Sequence, residues 1–174
     1  MPHTATNHTH DIPAIILAGG LGTRLQRVVS DLPKPMAPVN GKPFLHYVLR
    51  QLAAQSITHT VLSVGHKSEA IVDFFGHEYE GIHLSYAHER EPLGTGGAIR
   101  EAFRYVDGVA YVLNGDTFFN ASLSALKDTY FETGADIAFS LKQMHHFERY
   151  GTVELNAENR IIQFKEKKHT EEGL

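Results

Sequence analysis

The sequence has no cysteine among its 174 residues. That absence excludes disulfides, thiolate metal centres and a cysteine nucleophile together. Long apolar runs are also missing. Ile12 to Ala18 is among the longest, far short of the roughly twenty residues a spanning helix needs, so no membrane partner is expected. Nor is there an excess of positive charge. Sixteen Lys and Arg against 20 Asp and Glu give a net charge of −4, which provides no general attraction to nucleic acid. Any phosphate-binding surface must be local, built from a few placed cations and backbone N–H groups. Met1 to Asp11 is polar, His-rich and without the apolar core of a signal peptide. It reads as a disordered tail on a cytoplasmic protein, where His3, His8 and His10 would bind a metal only adventitiously.

What is present is ordinary in bulk. Hydrophobic residues make up 42% and charged residues 21%, as in soluble globular chains. The length suits one domain, placed here at residues 12–174. Ala14 to Ala18 reads as a buried strand running into Gly-Gly. Phe44, Leu45, Val48, Leu49 and Leu52 recur at helical spacing, predicting a helix over about residues 43–55. Strands are expected at Thr60 to Val64, His83 to Ala87, Val109 to Leu113 and Ala135 to Leu141. Helices are expected at Ser68 to Phe75, Gly97 to Tyr105 and Leu123 to Phe131. This alternation argues for an α/β fold with an open, mostly parallel, Rossmann-like sheet flanked by helices. Thr152 to Leu155 and Ile161 to Phe164, joined by Asn156-Ala157-Glu158-Asn159, read as a C-terminal β-hairpin.

Ligands of such sheets sit outside the carboxyl ends of the strands. Three unusual clusters fall there: residues 19–24, 89–97 and 114–117. In the first, Leu17-Ala18-Gly19-Gly20-Leu21-Gly22-Thr23-Arg24-Leu25, glycines let backbone approach a ligand closely and aim N–H groups at an anion. Arg24 adds a fixed fork of donors for phosphate oxygens. A Walker loop would need Gly-Lys-Ser/Thr where this loop has Gly22-Thr23-Arg24. A dinucleotide fingerprint from Gly20 would need glycine at Leu25. Both fail, and a plain tight turn needs no arginine and no third glycine.

This loop, followed by Leu32-Pro33-Lys34-Pro35-Met36-Ala37-Pro38-Val39, resembles the signature of the sugar-1-phosphate nucleotidylyltransferases in order and spacing. The run from Val28 to Pro43 is most similar to the guanylyltransferases that act on heptose 1-phosphates. The resemblance spans residues 12–174. It implies a nucleotide-diphospho-sugar transferase type of fold and an enzyme with a nucleoside triphosphate and a sugar 1-phosphate as substrates. The implied reaction moves a nucleoside monophosphate to the sugar 1-phosphate and releases pyrophosphate, a step toward cell-surface polysaccharide. Mg²⁺ is the implied cofactor. A homo-oligomer is compatible with the sequence but not specified by it. The same resemblance implies a further C-terminal stretch beyond Leu174, with a second metal-binding Asp and more sugar contacts. On that expectation the domain lacks its C-terminal part, as a fragment of a longer chain or as a short form with impaired turnover.

Site residues follow in the same terms. Lys34, stiffened between Pro33 and Pro35, suits a fixed point charge on phosphate. By similarity Arg24 and Lys34 bind the triphosphate and stabilise the transferring group, with Leu17, Ala18, Gly19, Gly20, Gly22 and Thr23 around the nucleotide. Glu89 to Gly97 resembles the family's base loop. Gly94 to Gly97, with Thr95 among them, stand at a helix start and let backbone approach the base or ribose, with the helix N–H groups free. Guanine offers two adjacent donors, N1–H and the 2-amino group, which one carboxylate accepts. Uracil and thymine offer one on that edge. Glu89 is the first choice for this reader and Glu91 the rival; a solvated Glu is the plain alternative. Asp116, after Asn114 and Gly115 at a strand end, is a natural Mg²⁺ ligand beside phosphates. By resemblance Asn114 and Gly115 line the sugar side, and Tyr150, Gly151, Glu166 and Lys167 contact the sugar phosphate. Lys168 stands where the family commonly has Pro, so Lys165 and Lys168 are substitutes, and residues 165–168 equally suit a solvated charge run.

Guanylyl transfer to a heptose 1-phosphate therefore leads. Another pair from UTP, dTTP or mannose 1-phosphate is the runner-up, and a nucleotide-binding module without turnover the alternative from another class. A molybdopterin guanylyltransferase shares the Leu-Ala-Gly-Gly opening, but the Lys34 block and the loop from Pro92 to Gly97 suit sugar enzymes better.

Overall fold

A computed structural model describes residues 11–20, 32–147, 150–166 and 170–174. In chain order these form β1 (Ala14–Leu17), β2 (Pro38–Val39), β3 (Lys42–Pro43), α1 (Phe44–Ala54), β4 (His59–Val64), α2 (Glu69–Phe75), β5 (Glu78–Tyr79), β6 (Ile82–His88), α3 (Gly94–Ala102) and β7 (Tyr111–Asn114). Then follow α4 (Leu123–Thr133), β8 (Met144–Phe147), β9 (Thr152–Leu155), β10 (Ile161–Lys165) and β11 (Thr170–Gly173). Short 3₁₀ turns lie at Lys34–Met36 and Phe103–Tyr105. Two compact units result, Met1–Asn120 and Ala121–Leu174.

The first unit is built on a five-stranded sheet of order β5-β6-β4-β1-β7. β6, β4, β1 and β7 are parallel, and β5 returns antiparallel on β6. Central β1 reads Ala-Ile-Ile-Leu because it is covered on both faces, so its pattern is continuous rather than alternating. Ile15 stands level with Val61 and Val112, and with Ala87 and Ala102 it makes a buried cluster against which Leu17, Phe103, Val106 and Ala110 pack. α1 forms because Leu45, Val48, Leu49 and Leu52 share one stripe, all buried. His46 joins that stripe because the Tyr79 hydroxyl meets its Nδ1 at 2.9 Å. The chain steps outward from β1 through β4 to β6, then returns past β1 to β7. The order therefore reverses between β1 and β7, the position where doubly wound sheets open a ligand crevice.

In the second unit, Ser122 caps α4 by accepting the Ala125 N–H at 3.2 Å, and Gly134 closes it at φ 59°. The β9–β10 hairpin turns on Asn156, whose side-chain oxygen accepts from the N–H groups of Glu158 and Arg160. One expectation fails. Ala135 to Leu141 is not a strand: residues 135–143 are irregular, with Ile137 and Phe139 67% and 52% exposed. A strand exists only through its ladder, and no described strand pairs with this apolar run. The next segment, β8, pairs antiparallel with β11 instead, a pairing that periodicity did not indicate.

Candidate functional site

The carboxyl ends of β1, β4, β6 and β7 come together in the first unit, and most of the anticipated residues are there. Leu17 and Ala18 are fixed by the sheet. The Ala18 N–H donates to the Ser63 carbonyl at 2.8 Å, and the Leu17 carbonyl accepts from Gly115 N–H at 2.9 Å. Gly115 is buried, and a Cβ there would lie 3.0 Å from the Leu17 oxygen and 3.1 Å from Ile16 Cγ2. A side chain there would press on β1 where the chain leaves β7. Gly22, Thr23 and Arg24 lie outside the described residues, as does Lys167.

Gly19 and Glu89 belong to one arrangement. Glu89 follows β6, and its N–H donates to the Val64 carbonyl at 2.8 Å. One carboxylate oxygen, Oε1, accepts from the Ser63 hydroxyl at 3.1 Å, and Oε2 accepts from the Leu93 N–H, also at 3.1 Å. A Cβ on Gly19 would fall 2.5 Å from Oε1, so a side chain there would force this carboxylate to shift. Glu91, by contrast, is exposed. Anchoring on both oxygens separates the two candidates for a base reader. Leu93 precedes α3, so Glu89 also places negative charge at the start of that helix, where the free N–H groups favour it.

Gly94 opens α3 at φ 67°, a conformation that favours glycine. Thr95 and Gly96 are exposed beside it. Among the described residues nothing lies within 4 Å of a Cβ built on Gly20 or Gly96. The described residues therefore leave open space beside those two positions.

On the β7 side, Asp116 follows Asn114 and Gly115, and Lys34 begins its short turn after Pro33. Pro35 and Met36 are buried, and the Ala37 carbonyl accepts from Phe44 N–H at 2.9 Å, so the lysine stands on a rigid base. Lys34 Nζ donates to Asp116 Oδ2 at 2.5 Å, while the Thr117 hydroxyl donates to Oδ1 at 3.1 Å. Burial pushes the Asp116 carboxyl up, but the hydrogen bond and charge of Lys34, aided by Thr117, outweigh it and hold the group below the ordinary carboxylate value. Gln51 of α1 donates to the Phe119 carbonyl at 2.8 Å, tying down the segment that follows.

Among the described residues no group of three or more His, Cys, Asp or Glu side chains is placed to hold a metal. Asp116 alone suits a hard cation that takes one carboxylate and fills its other positions with water and substrate phosphates, as Mg²⁺ does. The described residues fit such a cation through this one carboxylate.

The second unit holds the remaining candidates. Tyr150 is exposed. Gly151 is dictated by packing, since a Cβ would meet the Lys165 carbonyl at 2.7 Å. Glu166 is exposed just past β10, and Lys165 is ion-paired with Glu154.

Two contributors were not singled out from sequence, Ser63 and Gly65, and Thr117 was covered only as the last residue of the 114–117 cluster. The signal for Ser63 was a hydroxyl inside the apolar strand Thr60 to Val64, a position that demands a polar partner. Gly65 lets the Gly19 carbonyl come within 3.0 Å of where its Cβ would be.

Residues 13–173 match the family described as nucleotidyl transferase. The chain is 49% identical over 161 residues to the D-glycero-alpha-D-manno-heptose 1-phosphate guanylyltransferase of Campylobacter jejuni, covering 92% of this chain and 71% of that protein. It is 50% identical over 161 residues to the enzyme of the same name from Aneurinibacillus thermoaerophilus, covering 92% and 70%. Among solved structures, HddC from Yersinia pseudotuberculosis in complex with GMP-PN superposes with a TM-score of 0.74 at 31% identity, over 93% of this chain and 72% of that one. No helix among the described residues is long and apolar enough to cross a membrane.

Proposed function

The chain belongs to the nucleotidyl transferase family, and from that premise we propose that it transfers GMP from GTP to D-glycero-α-D-manno-heptose 1-phosphate in the cytoplasm, releasing pyrophosphate. Residues 12–174 serve as its nucleotidyltransferase domain. The observation that carries guanosine is the Glu89 carboxylate, fixed through both oxygens beside Gly19. The acceptor sugar rests on the two guanylyltransferases to which the chain is half identical.

The reaction is in-line attack by an oxygen of the sugar phosphate on the α-phosphorus, with pyrophosphate leaving. The nucleophile already carries about −1.5 to −2 charge near neutral pH, so no strong general base is required. The protein's task is positioning and neutralisation of charge. Gly19, Gly20 and the start of α3 admit nucleotide backbone-close, and Glu89 accepts the two guanine donors. Lys34, with Arg24, neutralises phosphate charge. Enzymes of this family generally use a divalent metal; Mg²⁺, held by Asp116 and the phosphates, would supply Lewis-acid stabilisation of the same charge. Tyr150, Gly151, Glu166 and Lys167 hold the acceptor phosphate.

A panel of GTP, UTP, dTTP and ATP against heptose, mannose and glucose 1-phosphates, read by pyrophosphate release with and without Mg²⁺, tests the proposal. GTP with the heptose 1-phosphate should be fastest by at least about tenfold in kcat/KM, the scale of one base-specific charged contact. Faster turnover of UTP or dTTP would refute the guanine reading, and equal turnover of mannose 1-phosphate the sugar assignment.

A further inference from the structure

Ser63 is fully buried one residue before the end of β4, and its hydroxyl donates to Glu89 Oε1. The Leu93 N–H fixes Oε2, and the missing Cβ of Gly19 leaves room for the carboxylate between them. A carboxylate has about four lone-pair sites. Ser63 and Leu93 use one on each oxygen, which leaves one on each for a partner with two adjacent donors. The terminal torsion of a glutamate is soft, with a broad, nearly two-fold profile. Glu89 therefore owes its orientation to these donors and not to its own side chain. A buried hydroxyl in the strand next to β1 contributes little to packing that alanine would not, so its use lies in the bond it makes.

We propose that Ser63 is a positioning residue for base selection, holding the Glu89 carboxylate in the plane in which it accepts both N1–H and the 2-amino group of guanine. The proposal rests on the reading of Glu89 as the base reader. Ser63 touches no substrate and acts through Glu89. Among the described residues its loss leaves the carboxylate tethered by Leu93 alone, so the second guanine contact is the one weakened.

The test compares affinity for GTP and for ITP, whose base keeps N1–H and lacks the 2-amino group. Binding is measured by calorimetry with Mg²⁺ and no acceptor sugar, on the wild type, Ser63→Ala and Glu89→Ala. Ser63→Ala should lower the GTP:ITP affinity ratio at least about threefold, the worth of one hydrogen bond, while Glu89→Ala should abolish the preference. If Ser63→Ala weakens both nucleotides equally, Ser63 is structural and the proposal is overturned. If Ser63→Ala keeps the wild-type ratio while Glu89→Ala loses it, the positioning role falls and the base reader stands. If neither changes the ratio, Glu89 is not the reader and both ideas fall together. Ser63→Cys, close in size with a weaker donor, carries the same readout should the alanine variant fail to fold. Its ratio should fall between the other two, and a wild-type ratio in it would count against the role.

Discussion

Gly19→Ala is the sharpest probe of this site, because its cost should depend on a residue 70 positions away in the chain. An alanine Cβ at position 19 would lie 2.5 Å from Glu89 Oε1 and 3.3 Å from both Glu89 Cδ and the backbone nitrogen of Gly65. The backbone contact prevents the loop from retreating, so the carboxylate must swing away. Two hydrogen bonds to a charged group are then lost, those from Ser63 and Leu93, each worth about 1.5–3 kcal/mol at full strength. Glu89 is half-buried, so screening reduces this to a total of about 2–3 kcal/mol. For a chain of this length that lowers Tm by about 4–12 °C. In a Glu89→Ala background only the 3.3 Å contact with the Gly65 nitrogen remains, and Gly19→Ala should cost markedly less, offset in part by lower entropy of the unfolded chain. Urea unfolding of the wild type, both single variants and the double variant gives a coupling energy, expected to be at least about 1 kcal/mol. Equal cost of Gly19→Ala in both backgrounds, with unchanged m-values, would refute the claim that Gly19 exists to seat this carboxylate.

Other consequences are as direct. Lys34→Ala should lower kcat/KM at least about tenfold by removing a charged phosphate contact, while costing under about 1 kcal/mol of stability, since its pair with Asp116 is partly exposed; unchanged turnover removes Lys34 from the mechanism. Gly115→Ala should destabilise by about 1–3 kcal/mol because β7 must move away from β1, and hydrogen exchange should report the opening at β7; full stability of that variant would contradict the packing described. Burial, then the nearby His83, lowers the pKa of His59, whose Nε2 meets Ser85 Oγ at 3.0 Å. A depressed folded-state value means that the unfolded chain takes up more protons, so stability should fall as pH drops from about 6.5. His59→Gln should flatten the dependence of Tm on pH between about 7.5 and about 5.5, and an unaltered slope would assign that dependence to other histidines.

The sheet was legible because β1 is a continuous apolar run, β4 is largely apolar, β6 alternates apolar with polar residues, and α1 carries one apolar stripe. Ala14 to Leu17, Phe44 to Ala54 and His59 to Val64 fall within a residue or two of expectation. The hairpin on Asn156 was legible from turn chemistry. Ala135 to Leu141 misled because alternation reports which face is apolar and says nothing of whether a neighbouring strand is there to pair with it. At the site, the glycines and Lys34 were marked by composition and by flanking prolines. Ser63 was not, because its importance arises only when β4 and β6 lie side by side and bring it to Glu89. The choice between Glu89 and Glu91 was likewise beyond spacing alone, since both sit in one loop and only one is anchored.

The ion pair of Lys34 and Asp116 has a thermodynamic implication. On the roles proposed above, each of these side chains is the other's counter-ion until substrate arrives, and each must exchange that partner for a new one. Phosphate drawn to Lys34 releases a carboxylate, and a cation drawn to Asp116 releases an ammonium. Whichever ligand enters first therefore bears the cost of separating the pair, and the second enters free of it. Linkage makes the effect reciprocal: nucleotide should raise affinity for the metal by the same factor by which the metal raises affinity for nucleotide, and Lys34→Ala should diminish both.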